Sequence, residues 1–212
     1  MSRAAASLVM VVAVLLAAGC TSQGPEPVAS ATSGPSATAK ASPTPTPTPE
    51  PTPDVVVTSG PDQDVTVAPT PPAALDGPAT ADNAMLVGKY FIQLIPYVIA
   101  TGETAQWDAL SGPDCKFCAS ARELGLEVAT EGQRVTGGAI DVGFGHASEA
   151  EEEGVFSASI DYVEHPSQRI AADGTVLKDY PEATTARAHL ELRWAEGSWK
   201  ILGASSDDLG SA

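Results

Sequence analysis

The stretch ARAHLELRWAEGSWKI, residues 186–201, decides the fold. Ala186, Ala188, Leu190, Leu192 and Trp194 alternate with Arg187, His189, Glu191 and Arg193, the period of two that marks a half-buried strand. Glu196-Gly197 interrupts the alternation as a two-residue turn, and Trp199-Lys-Ile201 runs back along it, so the segment reads as an antiparallel hairpin. The same alternation appears upstream in Ile140, Val142 and Phe144 and again in Phe156, Ala158, Ile160 and Tyr162. Between them and the closing hairpin, Gln168 to Leu177 reads as a smaller hairpin around Asp173-Gly174.

Before Gly132 the period is helical. Ala84, Val87, Phe91, Leu94, Ile95 and Val98 recur at three and four, with Thr80 or Asp82 available as N-cap. Pro96 is expected to kink this helix late, and Thr101-Gly102 to end it, because glycine accepts the left-handed turn. A short helix over about Glu103 to Leu110 and a third from about Cys115 to Thr130 complete the helical part.

Helices first and then an antiparallel meander with one apolar face per strand make an α+β domain, its N-terminal helices packed on a curved antiparallel sheet. That order resembles the nuclear-transport-factor-2-like, or cystatin-like, cone. The run Ala100-Thr-Gly-Glu-Thr-Ala-Gln-Trp-Asp-Ala-Leu110, the pair Cys115-Lys-Phe-Cys118 and the closing Gly-Ser-Trp-Lys-Ile201 resemble more specifically the actinobacterial lipoprotein family called domain of unknown function 6318, over roughly residues 70 to 205. The resemblance implies the fold and an exported setting. It implies no activity, and it carries no catalytic residue onto this chain.

The first third has a different composition. MSRAAASLVMVVAVLLAAGC, residues 1–20, has Arg3 in a short n-region, then an apolar run and small residues before Cys20, which is the pattern of a signal peptide. LLAAGC resembles a lipobox, with Ala17 where leucine is usual. Residues 1–19 are therefore expected to be a lipoprotein signal peptide, and Cys20 to be lipidated and to hold the protein on the outer face of the cell membrane. The apolar run is shorter than the roughly 20 residues a membrane span requires.

From Cys20 to residue 78 the chain is rich in Pro, Thr, Ser, Ala and Gly, with the repeat Pro43-Thr-Pro-Thr-Pro-Thr-Pro-Glu-Pro-Thr-Pro53. Alternate prolines favour polyproline II and delete donors, so a disordered tether is expected, with a reach on the order of 100 Å. Val55-Val56-Val57 and Val65-Thr66-Val67 are brief β-prone islands within it. The folded domain is then placed at residues 79–205 and a flexible tail at 206–212.

Eleven basic against twenty-seven acidic residues give a formal net charge of −16. No basic footprint exists for phosphates, so nucleic acid is not an expected partner. Cys115 and Cys118 are the most specific chemical pair. A thiol-exchange role would exploit the helix N-terminus, but the βαβ context of such enzymes is missing and an exported pair normally stays oxidised, so a structural disulfide is expected. His146, His165 and His189 show no metal-ligand spacing, and Glu149-Ala-Glu-Glu-Glu153 reads as a solvated loop rather than a calcium site. Neither a cofactor nor a metal is expected.

Strand parity sends Asp141, Asp161, Arg187, His189, Glu191 and Arg193 away from the core. Only Tyr162, Glu164 and His146 share the inward parity, near strand ends, and they are the candidate pocket residues. With so small an inward set, the expectation is a binding or interaction module, monomeric, for a protein or small-molecule ligand. The alternative is a cone-fold enzyme of isomerase or cyclase type, with two of those three groups converging on a small apolar substrate.

Overall fold

The computed structural model describes residues 61–212. The expected signal peptide, Cys20 and the expected tether up to residue 60, Val55-Val56-Val57 included, lie outside the described residues. Helix α1 (Ala81–Thr101) starts at Thr80, whose hydroxyl accepts the Asn83 N–H at 3.2 Å, and stops at Gly102 with φ 69°. It runs through Pro96, where the missing N–H removes one helical bond. Leu94 and Val98 on either side are fully buried, and their packing holds the helix through the break. Its length and apolar content would also suit a bilayer, but Val87, Phe91, Leu94 and Val98 are buried in the core of the folded domain.

Helices α2 (Ala105–Leu110) and α3 (Lys116–Thr130) fold back on α1. Trp107 of α2 stacks on Phe91 with ring centroids 4.3 Å apart and donates its indole N–H to the Cys118 carbonyl at 2.9 Å. Gly125 of α3 sits so close to α1 that a Cβ there would lie 2.3 Å from the Val98 carbonyl oxygen.

Seven strands follow: β1 (Arg134–Gly137), β2 (Ile140–Glu149), β3 (Val155–Glu164), β4 (Ser167–Ile170), β5 (Val176–Tyr180), β6 (Thr184–Ala195) and β7 (Ser198–Ser211). They form two antiparallel sheets, of order β2-β3-β6-β7 and β1-β4-β5. The single curved sheet expected from the alternation is thus folded at a shared corner. There β1 passes into β2 through Gly137 and Gly138, both at positive φ, and β3 passes into β4 through His165-Pro166. The Gly138 N–H to Pro166 carbonyl bond and the His165 N–H to Ala139 carbonyl bond, 2.9 Å each, tie the two bends together. The architecture is the expected α+β one, with Phe156, Ala158, Ile160, Ala188, Leu190 and Leu192 of the larger sheet joining α1 in the core.

Three expectations change. In β2, Val142 pairs with Tyr162 but Gly145 pairs with Ile160, so one extra residue stands against β3. This bulge reverses the parity beyond it: Phe144, expected inside, is 76% exposed, and Ala147 takes the inward place. Residues 61–78 are folded rather than tether-like. Asp64 accepts the Thr66 N–H at 2.9 Å and hydroxyl at 2.6 Å in a tight turn, Val65 is buried, and Ala74 in the 3-10 turn Ala73–Asp76 accepts the Trp199 indole N–H at 3.0 Å. Finally, the expected tail is strand, because β6 extends back to Thr184 and pairs it with Ser211.

Candidate functional site

At the corner between the two sheets the fold leaves a pocket of about 230 Å³. Ile95, Pro96 and Ile99 of α1 and Leu124 of α3 form its apolar wall, continued by Val135 and Ile140. Glycine at 137 and 138 is required there twice over. Both positions have positive φ, and a Cβ at Gly137 would lie 2.2 Å from the Pro166 carbonyl oxygen. The polar part comes from Glu164 at the end of β3, from Ser167, Gln168 and Arg169 of β4, and from Lys178 and Tyr180 of β5.

Burial raises the Glu164 carboxyl above the usual glutamate range, and among the described residues it has no hydrogen-bonding partner. Although the residue as a whole keeps a fair share of its surface exposed, the carboxyl loses water to the pocket walls. Arg169 and Lys178 are direct cross-strand partners. Arg169 Nη1 reaches Glu127 Oε1 of α3 at 3.1 Å, whereas Lys178 makes no ion pair among the described residues.

The three candidate pocket residues are not brought together. Tyr162 lines a separate crevice of about 30 Å³ beside Phe91, Phe117 and Leu190. Its phenol is raised above the ordinary tyrosine value, chiefly by burial, against the opposing effect of a hydrogen bond with Ser206 and with smaller help from Glu164 and Asp208. His146 lies beyond the bulge, exposed on the outer face of the sheet as the cross-strand partner of Ser159. Glu164 alone of the three faces the larger pocket.

That outer face carries a chain of contacts that sequence reasoning missed. Ser159 Oγ lies 3.1 Å from His189 Nδ1, and His189 Nε2 lies 3.0 Å from Asp207 Oδ2. Beside it Arg187 clamps Asp161 through two bonds of 2.6 and 3.1 Å, which hold that carboxyl below its usual range. The serine, histidine and aspartate types invite a nucleophilic reading, but Ser159 sits in mid-strand, paired on both sides by β2 and β6. Its neighbouring N–H groups are committed to those ladders, which leaves no pair of donors to stabilise an oxyanion. Outward parity marked His189 in advance; Ser159 was not singled out, and Asp207 was hidden in the segment read as a tail.

Cys115 and Cys118 form a disulfide, with an S–S distance of 2.05 Å and Cα atoms 5.2 Å apart. Both residues are buried, and the Cys118 N–H donates to Cys115 Sγ at the N-terminus of α3. Burial shields the bond from an attacking thiolate. Among the described residues no three His, Cys, Asp or Glu side chains gather as metal ligands.

Residues 58–205 match the model of a family of unknown function, DUF6318. The chain belongs to that family. No curated protein matches the DUF6318 chain. Among solved structures, it is similar to the intermembrane-space region of the chloroplast protein ARC6, at 11% identity over 59% of this chain and 95% of that one, with a TM-score of 0.40. It is also similar to an uncharacterised protein with a cystatin-like fold from Caulobacter vibrioides, at 13% identity over 61% and 88% of the two chains, with a TM-score of 0.38. Likenesses this distant carry no activity to the DUF6318 domain.

Proposed function

We propose that this protein is an exported lipoprotein, anchored to the outer face of the cell membrane through Cys20, and that its folded domain is a non-enzymatic module binding a small, mainly apolar molecule. The observation that carries the binding reading is the corner pocket, in which apolar walls from α1, α3 and β1 surround a single desolvated carboxyl, Glu164. Ligand sites commonly pair such walls with a few placed polar groups. An acid-base enzyme would need a second titratable group paired with Glu164 on the same atoms; among the described residues neither Lys178 nor Tyr180 of this pocket bonds to Glu164, and the Tyr162 phenol lines another crevice and is engaged by Ser206.

The reading is tested by titrating the full chain with 1-hexanol and following methyl resonances of Ile95, Ile99 and Leu124. Saturable shifts confined to these residues, abolished by the pocket-filling Leu124→Trp, are expected. Shifts gathered at Tyr162 and Phe117, or none that saturate, would move the site elsewhere. The anchor is tested separately: Cys20→Ser is expected to release the protein from the membrane fraction, and retention of that variant on the membrane would refute lipidation there.

A further inference from the structure

We propose that the molecule held in the corner pocket is a monocarboxylate with a short apolar body, its negative end at Lys178 and its body against Ile95, Ile99 and Leu124. The inference rests on the binding reading above and adds the ligand's charge and class.

The argument starts from an imbalance. Acidic residues outnumber basic ones by twenty-seven to eleven, so a cation on this chain has carboxylates to spare as partners. Yet Arg169 and Lys178 face each other directly across β4 and β5 at the pocket's polar side. Like charges in that position are destabilising. Glu127 relieves Arg169, with 3.1 Å between Nη1 and Oε1, but among the described residues nothing relieves Lys178.

Glu164, the one carboxyl lining the pocket, does not fill that role. It forms no ion pair with Lys178 or Arg169 among the described residues, and burial raises its carboxyl. The pocket lining therefore combines an ammonium that has no ion-pair partner among the described residues, a carboxyl raised by burial, and apolar side chains. An anion satisfies Lys178, whereas a second anionic group beside Glu164 would have either to face its carboxylate or to hold it protonated, a cost that a singly charged ligand avoids. A volume of about 230 Å³ falls below the roughly 300–1,000 Å³ of sites for drug-sized molecules, which keeps the apolar body short.

The test uses three probes with one body and three charges: hexanoate, 1-hexanol and hexylamine, each titrated into the full chain with the pocket methyl resonances as readout. Hexanoate is expected to bind at least about tenfold tighter than hexylamine, because one ligand meets Lys178 favourably and the other meets it as a like charge. Lys178→Gln is expected to weaken hexanoate by about threefold to fivefold, the scale of a solvent-exposed ion pair, and to weaken hexanol by clearly less; Lys178→Glu should weaken hexanoate further. Lys178 is exposed in the native domain, so both variants are expected to fold. Preference for hexylamine, or equal binding of all three probes, would overturn the anionic class while leaving the pocket intact. Failure of all three to shift the pocket resonances would overturn the binding reading itself, and this inference with it.

Discussion

Glu164 is a carboxyl placed where ionisation is unfavourable, and its effect on stability has a definite sign. Because its folded value lies above the ordinary one, the folded state binds more protons than the unfolded state between the two values. Stability therefore falls as pH rises through that window, and the penalty persists above it. Glu164→Gln is expected to raise the melting temperature at neutral pH and to lose that advantage below the ordinary glutamate range, as read by thermal scans across pH. An advantage independent of pH would mean that the gain comes from something other than ionisation. Trp107 is the opposite case, a polar atom fully accounted for: buried, stacked on Phe91, and donating to the Cys118 carbonyl. Trp107→Phe keeps part of the stack but loses the indole hydrogen bond and leaves a void in the core, so a loss of about 1–3 kcal/mol in urea denaturation is expected.

Between elements, the closest approach is that of α3 to α1. At Gly125 a Cβ would meet the Val98 carbonyl, main chain rather than a movable side chain, so Gly125→Ala must push the helices apart. The expected cost is about 1–3 kcal/mol in chemical denaturation. The disulfide closes so short a loop, with a sequence separation of 3, that chain entropy alone assigns it about 2 kcal/mol. The Cys115→Ser, Cys118→Ser double variant should lose about that much while its far-ultraviolet circular dichroism stays native.

The sequence was most legible where one rule acted alone. In β6 the alternation is unbroken, and Ala186, Ala188, Leu190 and Leu192 are all buried as their parity requires. In β2 a bulge resets the parity midway, so Phe144 and His146 were assigned to the wrong face. Glycines at 143 and 145, uncommon inside a strand, were the available signal. The pocket was less legible still. Glu164 has inward parity, but its partners in the lining come from α1, α3, β1, β2, β4 and β5, and no local pattern announces a corner assembled from so many elements.

For the whole molecule, the folded unit begins earlier than its composition suggests. Proline and threonine continue to residue 78, which disguises Val65 and Ala74 as tether although both are buried. A chain starting at residue 79 is therefore expected to be less stable than the full chain by roughly 2–4 kcal/mol, the sum of lost burial and the Trp199 hydrogen bond. Equal melting temperatures for the two would show that the segment adds nothing. The bond from the Trp199 indole to Ala74 joins positions 125 residues apart in sequence, and this gives the domain a mechanical character. A pull on the chain ahead of residue 61 reaches Val65 first and then this bond to β7, before it travels along the chain to α1. Under such a load the segment is expected to act as a shear pin, yielding before the pocket does.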